Sequence, residues 1–384
     1  MEPLGVINLC EQYFFDADEL LLCNWILNKT NATNLYIKLR ETYYKGPIEE
    51  DWLRNYHDIM FFRFFRIQKS TFLNLLNVVL ENDNHKLMRK KYHGGNLPIP
   101  PEKALLTFLT YMATQESLLS IGQRFGIVPS TAMNIVNALL YIMLKINKKY
   151  IFWPRTDEEV EHIINGFTHY PNVLGAIDGS QIDIKVVPHT QHDSYVNRYL
   201  RHSINAMVIS TAEKILTYVF IGFPGSAHDS RVFSNSTFVQ NIATHGSQFY
   251  FPNEECHILG DSAFPLKMWM MTPYKRRPAL NRIERQHNYH LSADRVVVEH
   301  IFARIKGRFR RVIFINTYSI SKAIEITTAA CVLHNFCYMN KDQWEDELYE
   351  DVNEQEFIAE DNDEETRRAQ LKRNRIAREL LNNV

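Results

Sequence analysis

Apolar residues recur at spacings of three and four through much of the first 165 residues, as in FLNLLNVVL (72–80) and KALLTFLTYMATQ (103–115). That period predicts amphipathic helices. GNLPIPP (95–101) breaks the pattern, because three closely spaced prolines cannot continue a helix. From about residue 173 the pattern changes to strands. VLGAIDGSQIDI (173–184) carries an apolar run to Asp178, where Gly179 and Ser180 follow, and IDIKV (182–186) then alternates. Asp-Gly between two such runs admits two readings: the corner of a hairpin, or a ligand held at the end of a strand. INAMVIS (204–210) and ILTYVFIG (215–222) flank a polar Thr-Ala-Glu-Lys that predicts a hairpin turn. A helix is expected near 229–242, a short strand at HILG (257–260), and helices from about Ala293 to Gly307 and Lys322 to Tyr338. Helices followed by strands, then alternating strand and helix, predict an all-helical domain at 1–165 and a three-layer α/β domain at 166–340.

Within the helical domain, SLLSIGQRFGIVPSTAMNIVNALLYIM (117–143) has helix-turn-helix grammar. Leu118, Leu119 and Ile121 would pack a first helix, Gly126 suits the turn, and Ser130 could cap the second helix. Thr131 and Asn134 would then face a DNA major groove. A plain helical hairpin has the same packing needs, and the second helix offers few cations for phosphate.

Composition narrows the class. Of 384 residues, 45% are hydrophobic, enough for a sizeable core. No apolar run reaches bilayer length and no signal-peptide pattern opens the chain, so an intracellular protein without membrane association is expected. Five scattered cysteines without Cys-x-x-Cys spacing argue against a disulfide framework or a thiolate zinc site. His189, His192, His202 and His228 likewise lack zinc-ligand spacing. A formal net charge of −1 conceals a strong asymmetry. Residues 342–365 hold thirteen acidic side chains and no basic one, 366–384 carry +5, and 1–341 are left with +7. The basic body suits a polyanionic partner. The tail 341–384, acidic then basic, is expected to be disordered and dispensable for folding, with a short amphipathic helix conceivable at 367–381.

Four acidic residues occupy comparable places: Asp178 after the first strand run, Asp229 opening a helix after the third, Asp261 after HILG, and Glu299 in RVVVEHIFARIKGRFR (295–310). Carboxylates gathered at one end of a sheet repel one another unless a cation is shared. Hard divalent ions take such oxygen ligands, and two together could activate water for phosphodiester cleavage. Each also has an ordinary reading. Asp229 could cap its helix, and Glu299 could be the exposed residue of an amphipathic helix.

The stretches GAIDGSQI, YVNRYLRHSIN, GFPGSAHDSRVF, LGDSAFPLKMWMMTPY and RVVVEHIFARIKGRFR, in this order over about 170–338, resemble the DDE endonuclease domain of PIF/Harbinger-type DNA transposases and their domesticated nuclease relatives. The resemblance implies a ribonuclease-H-like fold, a mixed sheet flanked by helices, with Asp178, Asp261 and Glu299 as the catalytic triad. Asp229 would join them around Mg²⁺ or Mn²⁺. It implies a metal-dependent DNA endonuclease or transposase, with a domesticated DNA-binding or scaffold protein that no longer cuts as the alternative. It also implies DNA as substrate, a separate Myb/SANT-like partner, and action in the nucleus and also the cytoplasm. Gln181, Tyr199–Leu200 and Thr211 depart from the family's usual His, Lys-Gly and Asp, which bears on substrate contacts. Lys275, Arg276 and Arg277, with Arg304, Lys306, Arg308, Arg310 and Arg311, are expected to bind phosphate beside the site.

Overall fold

The computed structural model describes residues 57–83, 99–185, 192–275, 279–342 and 363–382. His189, Arg276, Arg277, Cys10, Cys23 and most of the acidic stretch lie outside the described residues. The chain divides into two compact units, one of residues up to Ile146 with Phe309–Arg311, the other of Asn147–Arg308 with Val312 onward. Among the described residues no single helix is long and apolar enough to cross a membrane.

The first unit contains α1 (Asp58–Phe65), α2 (Lys69–Asn82), α3 (Pro101–Ala113), α4 (Leu118–Phe125) and most of α5 (Pro129–Tyr150). Leu105, Phe108, Leu109 and Met112 bury α3, and its buried Thr107 and Thr110 hydroxyls donate to carbonyls one turn back in their own helix. Ser117 caps α4, and Gly126 ends it at φ 58°. The axes of α4 and α5 then differ by 99°. Ser130 is not the cap expected for α5. Pro129 is already its first residue, where a missing N–H costs nothing, and Ser130 lies inside the first turn.

The second unit opens with the end of α5 and α6 (Asp157–Gly166), which a Thr156–Glu159 capping box starts. Its mixed sheet contains β1 (Val173–Ile184), β2 (Ser203–Ser210), β3 (Leu216–Pro224), β4 (His257–Leu259), β5 (Met270–Met271) and β6 (Phe314–Ile315). The order is β3-β2-β1-β4-β5, with β6 on β1. The pairs β1–β2 and β2–β3 are antiparallel, whereas β4 and β6 run parallel to β1 and β5 parallel to β4. The expected turn at Thr211–Lys214 joins β2 to β3, with Lys214 at φ 66°.

On one face, Leu174, Ile177, Met207 and Ile209 pack with Val232 and Phe233 of α7 (Asp229–Ser234) and Phe238 of α8 (Thr237–His245). The single helix expected at 229–242 is thus two, because Ser236 caps a fresh start at Thr237. The other elements are α9 (Arg282–Arg308), α10 (Ile320–Met339) and α11 (Glu364–Asn382). Residues 364–382, in a tail expected to be disordered apart from a short amphipathic helix at 367–381, do form a helix, and it is not dispensable packing: it buries Ala369, Ile376, Ala377 and Leu380. Apolar spacing of three and four gives α11 a face that needs cover. Asp342, which opens the acidic run, is also part of the fold: it is fully buried and pairs with buried Arg308 at 2.7 Å.

Candidate active site

The Asp-Gly corner does not exist. β1 runs unbroken from Val173 to Ile184, and Asp178 lies opposite Val208 in the middle of the strand rather than at its end. A different feature exposes this stretch to side-chain chemistry. Along one edge β1 pairs with β2 from Ala176 to Asp183. Along the other, β4 reaches only Ala176 and β6 begins at Asp183. Among the described residues, 177–182 therefore have no strand partner on that edge, and Asp178 and Ser180 lie in this gap.

Helix α9 lies over β1. Arg295 Nη1 stands 3.7 Å from Asp178 Oδ1, and Lys306 Nζ donates to Ser180 Oγ at 2.8 Å and to the Gln181 carbonyl at 3.0 Å. Asp178 and Ser180 share one face of the strand by its period of two. Arg295, Glu299 and Lys306, four and seven residues apart, share one face of the helix. Arg295 also donates to Glu299 one turn on.

The other acids arrive from different elements. Asp261 follows β4 by two residues, is buried, and accepts from the Ala263 amide at 2.8 Å, which fixes its carboxyl. Asp229 is the first residue of α7, not its N-cap; His228 holds that position. Its Oδ1 accepts from Asn205 Nδ2 at 3.1 Å. Gly179 permits this approach, since a Cβ there would come within 2.5 Å of Asp229 Oδ1.

Asp178, Asp229, Asp261 and Glu299 are brought into one electrostatic neighbourhood. Burial pushes the Asp178 carboxyl well above the usual carboxylate range, Arg295 opposes the shift, and Asp261, Asp229 and Glu299 reinforce it. Asp261 is raised too, first by burial, with Arg295 again opposing and Asp229 and Glu299 adding to the rise. Two desolvated carboxyls in an oxygen-only donor set are a situation that a hard divalent cation would relieve, so the residues fit such an ion in their chemistry. Among the described residues, no three His, Cys, Asp or Glu side chains stand close enough to form a ready cation cage. Arg295, which the sequence did not single out, is the cation in their midst.

The expected phosphate-binding cations are corrected in part. Lys306 is tied to β1, Arg308 is sealed against Asp342, and Arg311 is buried, donating to the carbonyls of Tyr111 and Glu116 at 3.0 and 2.6 Å. These three hold the fold. The departures from the family pattern have local explanations. Gln181 Oε1 accepts from Ser203 Oγ at 2.7 Å, and Thr211 Oγ1 accepts from the Ile215 amide across the β2–β3 turn. Leu200 sits exposed at φ 59°, a backbone conformation that suits the family's glycine better than leucine.

Residues 177–335 match the family described as DDE superfamily endonuclease. The chain is 28% identical over 292 residues to "Putative nuclease HARBI1" of Rattus norvegicus, covering 74% of this chain and 80% of that protein. Against the Homo sapiens protein of the same name it is 28% identical over 246 residues, covering 62% and 67%. "Protein ALP1-like" of Arabidopsis thaliana is 24% identical over 289 residues, covering 73% and 70%. No solved structure matches. With its four acids inside the matched segment, the chain is homologous over residues 177–335 to the DDE superfamily endonuclease domain, and to the proteins named HARBI1 and ALP1-like.

Proposed function

We propose that the protein is a divalent-metal-dependent DNA endonuclease descended from a transposase, on a ribonuclease-H-like fold. The observation that carries this reading is the gathering of Asp178, Asp229, Asp261 and Glu299 around the gap beside β1, within a DDE endonuclease domain. A strand order of β3-β2-β1-β4-β5, antiparallel then parallel, supports the fold assignment. Asp178 and Asp261 would hold Mg²⁺ or Mn²⁺, with Glu299 and Asp229 completing the oxygen set. Bound there, such ions supply an activated water and stabilise the leaving oxygen of a phosphodiester. The chain's own contribution is positioning. The Ala263 amide orients Asp261, Asn205 orients Asp229, and Lys306 ties α9 to β1 beyond Glu299. DNA is the substrate in this reading. The helices α4 and α5 would aid its binding, a Myb/SANT-like partner would add target recognition, and the protein would act in the nucleus and also in the cytoplasm.

A second reading, a scaffold that binds DNA without cutting, draws support from Arg295, whose guanidinium already neutralises part of the acidic set. A plasmid-nicking assay in Mn²⁺ separates the two. Asp178→Asn keeps the side chain's shape and should lower nicking on the order of a thousandfold. Asp183→Asn, which breaks only a surface pair with Arg201, should nick like the parent. A parent that binds DNA and never nicks, with or without a Myb-like partner, sinks the nuclease reading.

A further inference from the structure

Arg295 is a buried cation of α9 that faces the acidic set. It is 5% exposed and lies on the α9 face that meets β1. Its Nη2 donates to Glu299, but its Nη1 is buried without a hydrogen-bond acceptor, 3.7 Å from Asp178 Oδ1. A guanidinium in a merely structural role usually has its fork satisfied, since a buried unmet donor is costly. Here the fork is stretched between two carboxylates, while a third, Asp261, also feels its field. One cation thus serves three acids that come from β1, from the segment after β4, and from α9.

A divalent ion held by the same carboxylates would do the same task with twice the charge. Two cations cannot share so small a desolvated space without strong repulsion. We propose that Arg295 is a resident counter-charge, which holds the acidic set together in the metal-free protein and leaves Asp178 and Glu299 when a divalent cation enters. Cation binding is then an exchange, and its apparent affinity is lowered by the ion pairs given up. This inference rests on the metal-dependent reading above and adds a positioning residue to it. It also accounts for the acids standing too far apart to make a closed cage: they are spread around a guanidinium.

The exchange has a signature independent of DNA cleavage. Mn²⁺ is titrated into the full-length protein, with binding followed by calorimetry and by thermal shift. Arg295→Gln removes the competing charge and should bind Mn²⁺ about tenfold more tightly than the parent, while its metal-free form melts lower. Arg295→Lys keeps the charge and should stay near the parent's affinity. Asp261→Asn, which removes a proposed ligand, should bind more weakly. If the parent binds Mn²⁺ and Arg295→Gln binds no more tightly, the exchange is overturned while the metal reading stands. If parent and variants alike ignore Mn²⁺, the metal reading itself fails and the exchange with it. Should Arg295→Gln not fold alone, refolding that depends on Mn²⁺ supports the proposal, and no recovery at saturating Mn²⁺ overturns it.

Discussion

Gly179 shows how a single residue sets the candidate site. Its ordinary meaning after an aspartate is a turn, but here it lies within β1 and leaves room for Asp229. Gly179→Ala would put a methyl group 2.5 Å from Asp229 Oδ1, so that carboxylate or the strand must shift. The expected outcome is a loss of about 1–3 kcal/mol in urea denaturation. Asp229→Ala in the same background should recover part of it, because the clashing oxygens are gone. His334 makes a separate prediction. Burial lowers it to about 4, although its Nε2 meets the Lys214 carbonyl at 2.8 Å. An unfolded histidine takes up its proton near pH 6.5, so between about pH 6.5 and 4 the unfolded chain binds the extra proton. Stability from this group is therefore full above pH 6.5 and is lost as pH falls towards 4, by roughly 3 kcal/mol. The difference in unfolding free energy between pH 7 and pH 4 should shrink by that order in His334→Gln, with buried His287, lowered to about 3, left as a further acid-sensitive group of the same sign.

At the scale of elements, α11 goes beyond the short amphipathic helix expected at 367–381, because it docks on the fold. Its basic residues suggested a solvated tail, yet Lys372 donates to the carbonyls of Glu254 and Met268 at 2.6 and 2.7 Å, and Arg373 lies 4.2 Å over the Tyr274 ring. Burial lowers Lys372 to about 8, the cost of docking this helix through an amine. A chain ending at residue 362 should lose about 3 kcal/mol or more, from the uncovered Ile376, Leu380 and two alanines, and show a lower urea midpoint. An unchanged midpoint would mean that α11 does not hold the fold. Ending the chain at Asn340 should be worse, since it also strips buried Arg308 of Asp342. Helix α9 carries a related lesson. Apolar spacing begins near Ala293, but the helix starts at Arg282. An Asn281–Glu284 capping pair starts it, and buried His287 and Asp294 fill places that periodicity assigns to apolar residues.

Across the whole molecule, local pattern and motif chemistry were legible along the chain. Apolar runs marked β2, β3 and α10, the polar Thr211–Lys214 marked their turn, and the order of acidic motifs marked the endonuclease domain that residues 177–335 match. Those signals act within a few residues, so they are legible along the chain. Tertiary structure alone decided the rest. Asp178 became a mid-strand residue because β2 pairs with β1 from Ala176 to Asp183, and it borders a gap because β4 and β6 divide the other edge between them. Lys306 and Arg308 passed from expected phosphate ligands to internal ties because Ser180, 126 residues away, and Asp342, 34 residues away, meet them in the fold. Arg295 acquired its meaning only when α9 lay against β1. A charge read along a sequence is solvated by default; its partner across the fold decides whether it is buried, paired or free to bind, and that partner has no fixed distance along the chain.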